Sequence, residues 1–322
     1  MKLTTCVVIA SLCCLLVVSI STSVSAANIA WISFHADPND LPSTAAGTFG
    51  FAKAPDVGYT DLLRSAGHTV TRVLTENEKN VSSLNSYDLV ILSRSVDSAH
   101  YQTDTETAAW NGITVPMISI GGFPLRGGAT NTRLGYFTAD QLPDTTGPIK
   151  LTVNNPSHPI FAGIALDSMN TMVNTYTDIV TLPHSPNTPQ RGTSINTSPI
   201  VPGGVVLATV PMMTGSPPVT VTGNPIAFLP RGTALATGTG PVDTLAGPRL
   251  VFLTGSREAA NQMIPPPGPT GTNTQTAGII DLSEDGRRMF LNAVAFMAAI
   301  PEPNTAILLI FAAAGLGMLR KR

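Results

Sequence analysis

The chain has 322 residues, 43% of them hydrophobic, 12% charged, with 28 Gly and 27 Pro and a formal net charge of −2. Setting aside the terminal Lys2, Glu302, Arg320, Lys321 and Arg322 leaves 14 basic and 19 acidic residues without a basic cluster, which excludes a nucleic-acid surface because phosphates demand a positive stripe. Cys6, Cys13 and Cys14 all lie near the N-terminus, so from Ala27 onward there is no disulfide, no thiolate metal site and no cysteine nucleophile.

The chain opens on Met1-Lys2, an apolar run from Cys6 to Ile20 and small residues ending in Val24-Ser25-Ala26. A positive start, a short apolar run and a small-x-small site make residues 1–26 a secretory signal peptide, to be removed by signal peptidase.

Strand and helix patterns then alternate. Asn28 to Phe34 reads as a strand. Asp56 to Ala66 has helical spacing (Val57, Leu62, Leu63, Ala66) with a stop at Gly67. His68 to Leu74 reads as a second strand, and Tyr87 to Ser93 as a third, apolar throughout like a buried parallel strand. A short helix follows from Thr105 to Trp110. Val115 to Ile120 is a fourth strand, ending in Gly121-Gly122. This alternation predicts an α/β domain over 27–299 with a parallel sheet and helices on both faces.

Between about 149 and 248 the pattern changes to short β-prone runs separated by Pro, Gly, Asn and Thr, which predicts a β-rich, loop-heavy insertion. Arg249 to Leu253 returns to a buried-strand pattern. Ser283 caps a closing helix that runs to about Ala299, with Glu284 and Asp285 in its first turn to suit the helix dipole.

The chain ends in Pro301-Glu302-Pro303, an apolar run over 306–319 and Arg320-Lys321-Arg322. This order resembles the PEP-CTERM sorting signal of Gram-negative bacteria. The basic end suits the cytoplasmic side. The apolar run, short for a permanent span, suits a transient stop in the inner membrane. The prolines keep the motif extended. The resemblance implies an exosortase-type membrane protease as partner and a destination in the cell envelope or matrix. Hydrophobic helices are therefore expected at both termini.

The core resembles the class I glutamine amidotransferase-like superfamily, a flavodoxin-like fold. The likeness rests on the first strand, on Leu62-Leu63-Arg64-Ser65-Ala66-Gly67-His68-Thr69-Val70 and on Tyr87-Asp88-Leu89-Val90-Ile91-Leu92. Asn155-Pro156-Ser157-His158-Pro159-Ile160-Phe161 and Ser283-Glu284-Asp285-Gly286-Arg287-Arg288 resemble its trehalose-utilisation branch. Active members carry a cysteine nucleophile on a sharp turn after a buried strand, with a His and a Glu further on. Here that turn reads Ser119-Ile120-Gly121-Gly122-Phe123 and the nucleophile position is Gly121. The segment expected to bring the His reads Thr254-Gly255-Ser256-Arg257-Glu258. Amidotransfer by that route is excluded, and no catalytic residue is assigned.

Candidate ligand-binding residues follow from the rule that open α/β sheets bind ligands beyond the carboxyl ends of their strands. His35, Asp37 and Asp40 follow the first strand, where they could meet a ligand or simply form turns. Arg94 follows the third strand and could hold an anion or stand exposed on a loop. Gly121 and Gly122 could bring backbone amides to an anion or serve a tight strand exit. Ser119 lacks the Gly-x-Ser-x-Gly context of a serine nucleophile. His68, His100, His158 and His184 lack metal-ligand spacing, and no cofactor motif is present. The sequence thus points to an exported binding or structural protein, with exopolysaccharide a possible partner. The alternative is a carbohydrate-active enzyme working at the same sheet edge.

Overall fold

A computed structural model describes residues 26–39, 53–75, 81–128, 133–139, 141–145, 150–172, 193–214, 217–235, 243–255 and 278–300. Residues 1–25 of the signal segment, Asp40, His184 and the whole C-terminal motif (Pro301, Glu302, Pro303, the 306–319 run, Arg320, Lys321, Arg322) lie outside the described residues. Among those described, no helix is long and apolar enough to cross a membrane.

The fold is mixed α/β, built on one nine-stranded sheet. Its first strands are β1 (Asn28–Ser33), β2 (Thr69–Leu74), β3 (Leu89–Leu92) and β4 (Met117–Ser119). The short β5 (Asp144–Thr145) pairs with β8 (Thr193–Ser194) apart from it. The strands β6 (Leu151–Val153), β7 (Thr171–Met172), β9 (Val205–Thr214) and β10 (Val219–Leu229) belong to the main sheet. A second small pair is β11 (Ala234–Leu235) with β12 (Asp243–Thr244), and β13 (Arg249–Phe252) closes the series.

The order across the sheet is β2-β1-β3-β4-β13-β10-β9-β6-β7. The first five strands run parallel. The remaining pairings are antiparallel. Of the strands within 149–248, β8, β11 and β12 lie in the two small pairs, whereas β6, β7, β9 and β10 join the main sheet. They continue the sheet, because β10 supplies the edge that β13 pairs with on its outer side.

Among the described residues three helices flank the sheet: α1 (Val57–Ser65), α2 (Asp104–Asn111) and α3 (Glu284–Ala298). Trp31, Ile91, Ile118 and Leu250 lie side by side in register, and Phe252 follows Leu250 on the same face. Trp31 stacks on Tyr59 of α1, and both Tyr59 and Phe252 meet Phe290 of α3 edge-on. So α1 and α3 cover that face. Helix α2 covers the other, where the Arg249 side chain reaches the carbonyls that end it. β1, β3, β4 and β13 are buried almost throughout, as strands covered on both faces must be.

The helix ends follow local chemistry. Ser283 Oγ accepts from Gly286 N–H at 3.1 Å, as its sequence position predicted. Thr103 and Glu106 form a reciprocal capping box that starts α2 at Asp104, one residue earlier than the apolar spacing indicates. Gly67, at φ 93°, takes the left-handed turn after α1.

Candidate functional site

The carboxyl ends of β1, β3, β4 and β13 converge. Phe34 N–H donates to Ser95 O at 2.8 Å, Ile120 N–H to Leu92 O at 3.0 Å, and Thr254 N–H to Ile120 O at 3.0 Å. These contacts bring His35, Arg94, Gly121 and Gly122 to one edge of the sheet. They are all buried. Arg94 in particular is 3% exposed, which corrects the reading of an exposed loop arginine.

Arg94 lies in a slot made by two glycines. A Cβ added to Gly121 would stand 3.2 Å from Arg94 Cδ and 3.3 Å from its Cα, and one added to Gly255 would stand 3.1 Å from Arg94 Cβ. Gly255 also has φ 79°, a conformation that favours glycine. Beyond the slot the guanidinium rests on Phe123, 5.1 Å from the ring centroid. Arg126 approaches the same ring to 5.2 Å. Its Nε–H donates to Phe123 O at 2.9 Å and its Nη2 to Ser98 Oγ at 3.4 Å.

Asp37 departs from this group. It is exposed, and its carboxylate accepts from Asn39 N–H at 2.7 Å in a local turn. The turn-forming option therefore holds for Asp37, while His35 goes inward and its carbonyl accepts from Arg72 Nε at 2.8 Å. Gly122 makes a tight exit: an added Cβ would fall 3.1 Å from Ser194 O.

Two buried carboxylates that the sequence reading missed stand nearby. Asp56 pairs with Arg72 and accepts from Trp31 Nε1 at 2.8 Å and Ser33 Oγ at 2.7 Å. Asp281 accepts from Tyr59 Oη at 3.0 Å, Gly255 N–H at 2.9 Å, Thr193 Oγ1 at 2.8 Å and Thr254 Oγ1. Asp56 sits just before a helix, so its local signal is that of a cap. Yet its side chain makes no cap bond, because the sheet claims both oxygens. Asp281 has no periodic signal at all.

His68 stands just before β2, and His100 and His158, expected in polar loops, both have packed or hydrogen-bonded partners. His68 Nδ1 accepts from Ala27 N–H at 3.1 Å, and burial lowers its pKa. His158 packs edge-on against Phe296 at 4.7 Å, its pKa likewise lowered by burial. His100 Nδ1 meets Thr75 Oγ1 at 3.1 Å. Among the described residues no group of three or more His, Cys, Asp or Glu is placed to hold a metal ion.

No protein-family model matches the chain, and no curated protein does. Among solved structures it is similar to a cytoplasmic protein from Salmonella typhimurium, with 10% identity and TM-score 0.39 over 84% of this chain and 98% of that one. It is also similar to a ThuA-like protein from Bacteroides uniformis, with 12% identity and TM-score 0.41 over 86% of this chain and 92% of that one.

Proposed function

We propose that this chain is an exported envelope or extracellular-matrix protein of a Gram-negative bacterium whose core acts by binding or assembly rather than by catalysis. Signal peptidase acts at the first end. An exosortase-type membrane protease acts at Pro301-Glu302-Pro303 while the 306–319 run and Arg320-Lys321-Arg322 hold the chain transiently in the inner membrane. We read the core as a flavodoxin-like, glutamine amidotransferase-like domain. Its parallel strands keep the order β2-β1-β3-β4-β13, which is the doubly wound order 2-1-3-4-5 with β13 as the fifth strand.

One observation carries the non-catalytic part of this reading. The strand exit that presents the nucleophile in the resembled superfamily is Gly121 here, and a Cβ at that position would press on Arg94, 3.2 Å from its Cδ. A nucleophile must be able to meet its substrate, and this geometry gives that space to a buried arginine instead.

Mass spectrometry of the C-terminus of the protein made in its native host tests the sorting. A product ending before Arg322, cut near Pro301-Glu302-Pro303, is expected. An intact Arg322 in the mature protein would remove the sorting reading. For the core, turnover of a sugar or amide substrate by the purified chain, lost in His35→Ala, would overturn the binding reading.

A further inference from the structure

Resting on the reading of the core as a domain that binds or assembles, we infer that one partner is a second copy of this chain, joined edge to edge along residues 219–223 of β10. The strands β9 and β10 form a hairpin whose outer neighbours reach only its base. β6 meets β9 at Ala208 and Thr209, and β13 meets β10 from Ile226 to Leu229. The register shifts between Gly223 and Ile226, a bulge that sets the rest of the hairpin off from the sheet. Beyond it, residues 210–214 and 219–223 make a two-stranded arm.

The two edges of the arm differ. Pro211 stands opposite Thr222. It has no N–H, so this pair is of the non-hydrogen-bonded kind. Alternation then turns the N–H and C=O groups of Thr220 and Thr222 away from β9. On the opposite edge the outward positions are Pro211 and Met213, and the missing N–H of Pro211 interrupts any added strand. Among the described residues no strand pairs with 219–223 on the side away from β9. The Thr220 hydroxyl donates to Met213 Sδ at 3.2 Å, a side-chain bond that leaves the backbone edge open. The edge closes at Asn224, whose N–H donates to Asn196 O at 2.8 Å. An open edge is a template for another chain, and folded proteins commonly guard it with Lys, Pro or a covering loop. The stretch Val219-Thr220-Val221-Thr222-Gly223 has neither a charge nor a proline.

This segment is complementary to itself. Antiparallel pairing about a twofold axis at Val221 sets Thr220 opposite the partner's Thr222, and each such pair exchanges its backbone hydrogen bonds. On one face Val221 meets the partner's Val221. On the same face Val219, 56% exposed, lies across from the partner's Gly223, which has no side chain to crowd it. On the other face threonine stands across from threonine, a favourable cross-strand pair. Charge complementarity favours the same occupant. Two neutral edges meet without like-charge repulsion, and a charged partner finds nothing here to pair with. Such an interface is small, in the class below about 1,200 Å² that associates weakly and reversibly.

Sedimentation velocity of the chain as purified from its native host, over a dilution series, tests this. A monomer–dimer equilibrium in the micromolar range is expected, with the Thr220 and Thr222 amides protected from hydrogen exchange in the dimer and released on dilution. Thr222→Pro removes an outward N–H and keeps the bonds inside the hairpin, so dimerisation should weaken about tenfold or more. Thr220→Lys alone and Thr222→Glu alone should also weaken it. An equimolar mixture of the two should associate again, because the register sets these positions opposite each other. Thr152→Lys, on the exposed face of β6, should match the parent. Matching thermal melts keep a folding defect from mimicking the loss. A chain that stays monomeric, a dimer untouched by Thr222→Pro or by either charge, or a mixture that fails to associate would overturn the inference. None of these outcomes touches the sorting reading, which the C-terminal mass spectrum decides. A monomer that binds a polysaccharide would overturn the inference and leave the binding reading standing.

Discussion

Arg94 runs its side chain across Gly121 so closely that a Cβ on the glycine would stand 3.2 Å from Arg94 Cδ. The two residues come from neighbouring parallel strands, β3 and β4. Their contact gives the sheet edge its character, because a small residue on one strand exit makes room for a buried cation from the next.

Gly121→Ala should therefore destabilise the protein by about 1–3 kcal/mol, the cost of forcing a methyl into a packed interior. The clash is with Arg94, so a double-mutant cycle with Arg94→Ala should return a coupling of at least about 0.5 kcal/mol. Urea midpoints of the four proteins measure it. Additive losses would mean that the two side chains do not share that space.

The Asp56–Arg72 pair is buried on both sides. Breaking it by Asp56→Ala should cost about 3–5 kcal/mol, because the guanidinium is left uncompensated away from water. The exposed Asp61–Arg64 pair, at 3.5 Å on α1, should contribute under about 1 kcal/mol. Equal urea midpoints for Asp56→Ala and Asp61→Ala would contradict this ranking.

Arg249 is fully buried, and its guanidinium donates to the carbonyls of Trp110, Asn111, Ile113, Val115 and Pro248. It gathers the end of α2 and the start of β4 onto β13. Burial lowers its pKa, opposed by the nearby Tyr136 hydroxyl. The carbonyls of Trp110, Asn111 and Pro248 also accept backbone N–H groups, so Arg249→Met strips the donor from those of Ile113 and Val115 and should cost about 2–6 kcal/mol, at about 1–3 kcal/mol per buried unsatisfied group. Arg249→Lys should rescue little, since one ammonium cannot span that fork of acceptors. Full stability of the lysine variant in thermal melts would refute the role of the planar fork.

His68 and His158 set a pH dependence. Burial lowers both pKa values below 6.5, so below that pH the unfolded chain binds protons that the folded one resists. Their contribution leaves stability intact above about pH 6.5 and erodes it as pH falls from there toward the lowered folded values. The acceptor role of each Nδ1, toward Ala27 N–H and Ile160 N–H, is lost in the same step. Urea midpoints across that window should fall on acidification. The fall should be shallower in His68→Gln with His158→Gln, and an unchanged slope would assign it to other groups.

Part of the architecture was legible because it is written in short-range pattern. The buried runs of β1, β3 and β13, the Ser283 cap of α3 and the glycine after α1 each depend on residues within a turn or a strand of one another. The strand-end rule likewise picked out His35, Arg94, Gly121 and Gly122, since strand order alone brings those exits to one edge. Asp37 answered to its own turn.

The sequence by itself determined which stretches form the buried strands and the main helices to within about two residues, that no cysteine follows Ala27, and that a glycine pair follows β4. Only the tertiary structure decided that Arg94 is buried on Phe123 beside Arg126, that Asp56 meets Arg72 across 16 residues and that Asp281 meets Tyr59 across 222. It also decided that the β-rich stretch extends the main sheet. The physical reason is common to all of these. Local propensity and periodicity act within a few residues, whereas the partner of a buried charge is fixed only when the order of strands sets distant chain segments side by side.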